Sequence, residues 1–313
     1  MTLGALTLPK ISYTKDFLYL LVIFFAFILL GSGLSWAIQQ YFGIDVNYFK
    51  STLGQVDLFQ RMGWRFLLLV NHLFFFVLPS AFFFAYYLRK DPDILRWKQL
   101  PSAKTFILIL GLVLGSFGIV AALAYINELV PLPSYLQAME DKTQKLIGII
   151  LTCEYFYEFL FNLLLVAIIP AIGEELFFRG IIQSYIKSFL NPLWAIVITA
   201  LIFSAAHGQF EGFLPRFFLG LLLGWLFQRS GSITLPILTH CIFNGIQVVI
   251  QYTTQAPIDQ EPWDALPYYQ ILGSGVLFAI PFFYCVYLLN HEYLTTESTK
   301  HRLEDLNDQF PTT

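Results

Sequence analysis

Residues 159–180 read FLFNLLLVAIIPAIGEELFFRG. The first fifteen are apolar except for Asn162, and then Glu174, Glu175 and Arg179 follow within six positions. A helix needs roughly 20 such residues to cross the hydrocarbon of a bilayer. A charged side chain within that region costs about 2.5–3.5 kcal/mol on insertion scales, so such groups are paired or functional. The stretch therefore reads as a membrane-spanning helix carrying charges that have a purpose.

The rest of the chain agrees with a membrane setting. Its 313 residues include 18 Lys and Arg and 21 Asp and Glu, 12% charged against 57% hydrophobic and 18% aromatic. Soluble domains average about 25% charged residues, and a soluble fold of this length would lack charge to cover its surface. Disorder is excluded by 33 Phe, 17 Tyr and 6 Trp. The net charge of −3 and the lack of a basic run leave no role for nucleic acid. Three widely spaced cysteines in apolar stretches form neither a disulfide framework nor a CxxC metal pair.

Eight apolar runs mark candidate spans: Phe17–Ile38, Phe66–Leu88, Thr105–Tyr125, Phe159–Phe178, Pro192–Ala206, Phe217–Phe227, Ile233–Tyr252 and Ile271–Asn290. The first exceeds a signal-peptide core and reads as a retained span. Residues Ser134–Leu146 form an amphipathic surface helix, and the polar tail after Leu289 is expected to fray. The fold class is thus an all-α polytopic transmembrane bundle of about eight spans. Residues 1–150 form three N-terminal spans plus the interfacial segment, 151–255 a core segment, and 256–313 the last span and tail. An N-in/C-in topology puts twelve of the 18 basic residues inside, densest from Arg89 to Lys104, and Lys50, Arg61, Arg65, Lys142, Lys145 and Arg216 outside.

Few ionisable groups fall within spans: His72, Glu154, Glu158, Glu174, Glu175, Arg179, His207 and His240. Glu175 and Arg179 are i,i+4 neighbours and can pair, while Glu174 points elsewhere and is free to face a cavity. Phe203 and His207 share a helical face, as do His240 and Asn244. His72 reads as a structural hydrogen-bonding residue, with a substrate channel as the alternative, and Glu154 and Glu158 as solvated groups at the outer interface, with a cavity lining as the alternative. Glu211 and Arg216 can pair or shape the rim of the site. Gly220-x-x-x-Gly224 is a small-residue pair that suits close helix contact within the fold.

A carboxylate, two imidazoles and an amide on three spans supply a base and oxyanion donors for hydrolysing an amide. The same types can ligate zinc. There is no H-E-x-x-H, no G-x-S-G and no intramembrane Asp, which removes the zincin, serine and aspartyl alternatives.

Glu174-Glu175-x-x-x-Arg179, Phe203-x-x-x-His207 and His240-x-x-x-Asn244, in that order, resemble the CPBP family of intramembrane proteases. This Abi-like group includes type II CAAX prenyl endopeptidases and bacteriocin-processing enzymes. The likeness covers roughly Phe159–Tyr252. It implies Glu174 as general base with His207, His240 and Asn244 as oxyanion donors, and Glu175, Arg179 and Phe203 as supports. It implies an endopeptidase in the cell (inner) membrane, its site facing the cytoplasm, acting on a membrane-associated peptide or protein, lipid-modified or not. A metal-independent mechanism is favoured, with zinc on Glu174, His207 and His240 as the alternative. A scaffold or bacteriocin self-immunity protein of the same fold is the rival. A transporter lacks support, because neither a proton relay nor symmetric halves appear.

Overall fold

Backbone amides in hydrocarbon find no water, so each apolar run must satisfy its own hydrogen bonds as a helix. The computed structural model, which describes residues 13–44, 56–88, 100–255 and 266–309, bears this out with nine helices and no strand among those residues. They are α1 (Tyr13–Phe42), α2 (58–88), α3 (Ala103–Glu128), α4 (Ser134–Leu151), α5 (Phe156–Lys187), α6 (Pro192–Ala206), α7 (Phe213–Ser230), α8 (Thr234–Thr254) and α9 (Tyr268–Gln309). Side-chain caps begin several of them: Asp57 on α2, Ser102 on α3 and Asn191 on α6. Gly231, at φ +62°, closes α7 where a side chain would be strained.

Among the described residues, six helices are long and apolar enough to cross a bilayer: α1, α2, α3, α5, α8 and α9. A count of eight is reached only by adding α6 and α7. α6 is a shorter apolar helix of 15 residues, and α7 carries Arg216 and Arg229 near its ends. α4 matches the expected surface helix. The expectation of a frayed tail fails, since α9 continues as helix to Gln309. The basic residues Lys10, Lys50, Arg89, Lys90, Arg96 and Lys98, on which much of the orientation argument rests, lie outside the described residues.

Two apolar cores lie within the bundle. One joins α3, α7, α8 and α9 through Ile109, Leu112, Leu223, Phe243 and Leu289. The other joins Leu20 of α1, Phe83 and Phe84 of α2, and Leu176 and Ile181 of α5. Close approach of α9 to α3 depends on small residues. A Cβ on Gly115 would sit 2.9 Å from the Phe282 backbone nitrogen, and one on Gly118 2.6 Å from Phe278 Cβ. The Gly220/Gly224 pair likewise serves contact inside the fold, facing Ala200 of α6 and Gln183 of α5.

The outer-interface reading of Glu158 is corrected by its surroundings. Arg61 and Arg65 are not loop residues but part of α2, because Asp57 starts the helix earlier than the apolar run suggests. Arg65 Nη1 meets Glu158 Oε1 at 2.5 Å with both side chains fully buried. Arg65 also donates to Asn162 Oδ1 and to the carbonyls of Ile150 and Thr152. Arg61 bridges Glu158 to Glu154, which is the one solvated member of the group at 57% exposure. The buried charge is thus paired and multiply hydrogen-bonded, the condition for tolerating it in a low-dielectric interior.

Candidate active site

The site is assembled where α5, α6 and α8 meet, with α2 closing one side. Glu174 and Glu175 are both buried on α5, and their neighbours differ. Glu175 Oε1 accepts from Arg179 Nη1 at 2.8 Å, one turn along, and from His240 Nδ1 of α8 at 2.9 Å. Arg179 is fully buried, donates through Nη2 to Gly220 O of α7 at 3.1 Å, and lies 4.6 Å over the Phe203 ring of α6. One ion pair therefore ties four helices together, and the expected Glu175–Arg179 pairing is present. Among the described residues Glu175 Oε2 has no hydrogen-bond partner.

Glu174 takes no part in that pair. Its surroundings are imidazoles: His72 Nε2 of α2 lies 3.4 Å from Oε1, and His207 and His240 are near enough to act on it electrostatically. The two motif histidines are held in defined tautomers. His207 Nδ1 is 2.8 Å from Phe203 O, and a carbonyl only accepts, so Nδ1 carries the proton and a neutral ring presents a lone pair at Nε2. His240 donates through Nδ1 to Glu175, which leaves Nε2 outside that pair. Phe203 fixes the rings by edge-on packing, 5.1 Å from His207 and 6.0 Å from His240.

Asn244 has a structural duty alongside its motif position. Pro170 has no N–H to return to the carbonyl four residues earlier, Val166. Asn244 Nδ2 donates to that carbonyl at 3.0 Å, which leaves one amide N–H for other work.

The segment after His207 is fastened from outside. Asn127 at the end of α3 donates to Phe210 O at 2.7 Å and accepts from Leu214 N at 2.8 Å, while Glu140 of α4 accepts from Phe210 N. Gln137 and Gln144 of α4 both donate to Glu211. Arg216 bonds Gln209 instead, so Glu211 and Arg216 do not pair with each other, although both shape this rim. Gly208, at φ +65°, makes the turn.

The structure brings together Glu174, Glu175, Arg179, Phe203, His207 and His240, and it sets Asn244 one turn beyond His240 against α5. Sequence reasoning gave His72 a structural role, with a substrate channel as the alternative, and missed Asn127 and Glu140. His72 carried a signal, an ionisable group within an apolar span. Asn127 and Glu140 carried none, because nothing in the spacing says which loop they meet. Among the described residues no three His, Cys, Asp or Glu side chains are arranged to hold a metal ion, and Glu174, His207 and His240 do not form such a set.

Comparison with known proteins locates the likeness in this part of the chain. Residues 156–246 match the family model described as type II CAAX prenyl endopeptidase Rce1-like, less than a third of the length. An Escherichia coli protein named "Uncharacterized 24.3 kDa protein" is 36% identical over 84 residues, 25% of this chain and 39% of its own. The Bacillus subtilis (strain 168) protein named "Putative membrane peptidase YdiL" is 29% identical over 85 residues, 27% of this chain and 35% of its own. The chain thus spans little more than a third of the length of these curated relatives. No solved structure matches significantly. Glu174, Glu175, Arg179, Phe203, His207, His240 and Asn244 all fall inside the matched residues, so segment 156–246 of this multi-pass membrane protein is similar to the type II CAAX prenyl endopeptidase Rce1-like family.

Proposed function

We propose that this protein is an intramembrane endopeptidase that hydrolyses a peptide bond with a water activated by Glu174. The observation that carries the reading is the division of labour between adjacent carboxylates. Glu175 is held by Arg179 and His240, whereas Glu174, buried beside imidazoles, has no arginine committed to it. A carboxylate in that position can take a proton from water as the water attacks a carbonyl. His207 assists through Nε2, the remaining Asn244 N–H donates to the developing oxyanion, and His240 joins it once Nε2 also carries a proton, its charge balanced by Glu175. Donors fixed before reaction are the larger part of such stabilisation. Collapse of the tetrahedral intermediate returns the proton from Glu174 to the leaving amine. The step needs no metal in this reading.

The substrate class is a membrane-associated peptide or protein, including one with a prenylated C-terminal segment, and the bilayer is its delivery surface. His207 is exposed at the end of the bundle that carries α4, and successive crossings put the N-terminal end of α1 at the opposite end. We place the open edge of the site there. A cytoplasm-facing site and an N-in orientation are then mutually exclusive, and thiol labelling separates them.

The test is cleavage by purified protein in lipid vesicles, using a membrane-peptide library that includes prenylated and unprenylated Cys-aliphatic-aliphatic-X peptides, read by mass spectrometry. Glu174→Ala and His207→Ala should each abolish the cleavage seen with wild type while retaining helical content. If both variants still cleave, the assignment is wrong. A wild type that cleaves nothing in the library favours the scaffold or immunity rival.

A further inference from the structure

We propose that His72, outside all three motifs, is a positioning residue that sets the orientation of the Glu174 carboxylate, so that α2 belongs to the active site. This rests on the reading of Glu174 as the base.

Three observations converge. His72 Nδ1 lies 3.1 Å from Leu68 O, one turn back on its own helix. A carbonyl can only accept, so Nδ1 carries the proton and Nε2 is the nitrogen turned to Glu174 Oε1, 3.4 Å away. A bare lone pair facing an ionised carboxylate would repel it, so one proton lies between Nε2 and Oε1. Among the described residues, His72 is the one side chain within ion-pair distance of Glu174, because Arg179 is committed to Glu175.

The approach of the two helices is built for this contact. Immediately after His72, α2 widens into a π-helical turn, Leu73–Val77, a feature that clusters at functional sites. That turn packs on Gly173, the residue before Glu174. A Cβ there would sit 2.7 Å from Val77 Cγ2 and 3.2 Å from Phe76 Cβ. Phe76 packs in turn on Phe177 and Phe178, ring centroids 5.6 and 5.7 Å apart, so the register between α2 and α5 is fixed on both sides of Glu174. Gly173 thus admits α2, and His72 reaches the carboxylate from it.

A carboxylate turned by its neighbour to face the water gains the orientation that catalysis needs, and misplacement by about 1 Å costs on the order of a hundredfold in rate. With any peptide that wild type cleaves, His72→Leu should lower kcat by about that factor and leave KM within about twofold. His72→Gln, whose amide nitrogen can occupy the place of Nε2, should recover at least tenfold of the loss. A residue that merely filled space would show neither the kcat-specific loss nor the rescue. Gly173→Ala, which pushes α2 away, should reproduce the kcat loss with His72 intact. Glu174→Ala in parallel separates the two ideas. If it remains active, the reading of the base falls. If it is dead while His72→Leu runs at the wild-type rate, the role of His72 is overturned and the base stands. A readout that needs no substrate completes the test. In 15N-histidine-labelled protein in nanodiscs, with the His72 signals assigned by the His72→Gln variant, Glu174→Gln should shift the His72 Nε2 resonance. An unmoved resonance refutes the contact.

Discussion

Replacing Arg65 by Met tests whether the ion network at the start of α5 holds the bundle together. Arg65 and Glu158 are fully buried and 2.5 Å apart. Losing the guanidinium also removes the donor from Asn162 Oδ1 at 2.9 Å and from Thr152 O at 2.6 Å. Breaking a buried pair by deleting one partner costs about 3–5 kcal/mol. Here Arg61 Nε stays 3.3 Å from Glu158, and the backbone N–H groups of Glu154 and Tyr155 stay on its other oxygen at 2.8 and 3.1 Å. These residual partners place the loss at the low end, about 3 kcal/mol, or roughly a hundredfold in the folding equilibrium. Reversible unfolding in mixed micelles, followed by circular dichroism as denaturing detergent increases, measures it. Arg65→Lys should recover little, because an ammonium cannot reproduce the planar fork that meets Glu158, Asn162 and two carbonyls at once. Arg65→Met with Glu158→Leu should be milder than Arg65→Met alone, since no buried charge is then left unpaired. An Arg65→Met protein within about 0.5 kcal/mol of wild type, the range of an ordinary surface change, would refute the reasoning.

Gly224→Ala should destabilise the protein by about 1–3 kcal/mol in the same unfolding assay, because its Cβ would meet Gln183 Oε1 at 2.8 Å and Ile196 Cγ2 at 3.1 Å. Gly33→Ala on the open face of α1, with nothing within 4 Å, should be neutral or gain up to about 1 kcal/mol. Cleavage by purified protein should survive dialysis against a strong chelator unchanged, and recovery of lost activity by added zinc would overturn the metal-independent proposal. In a variant with Cys153, Cys241 and Cys285 replaced, new cysteines at Thr14 and Ser134 should react with an impermeant thiol reagent from opposite sides of the membrane. Reaction from one side would undo the crossing order assigned to the site.

Much of the fold was readable because hydrocarbon leaves the backbone little choice. The run Pro192–Ala206 coincides with α6, and Glu175–Arg179 pairs as a one-turn spacing dictates. Spacing speaks of neighbours along one helix and is silent about which helices meet. His240 on Glu175 and Asn244 on Val166 are contacts between helices, visible only once they pack. Arg61 and Arg65 misled for a different reason. They precede the most apolar part of α2, so a hydropathy boundary places them in a loop, although Asp57 as a cap and the four-residue interval between them were signs of a longer helix. Glu158 was misread with them, since a buried carboxylate is recognised by its partner and the partner lay some ninety residues away.

The fastening of the segment after His207 has a consequence for how this stretch can change over time. Asn127 and Glu140 grip the carbonyl and the amide of Phe210, which are atoms every residue but proline presents, while the residue as a whole is 44% exposed. Position 210 is therefore free to drift in side chain without disturbing the geometry of the neighbouring imidazole. The burden of sequence identity falls instead on Asn127 and Glu140, well before it in the chain.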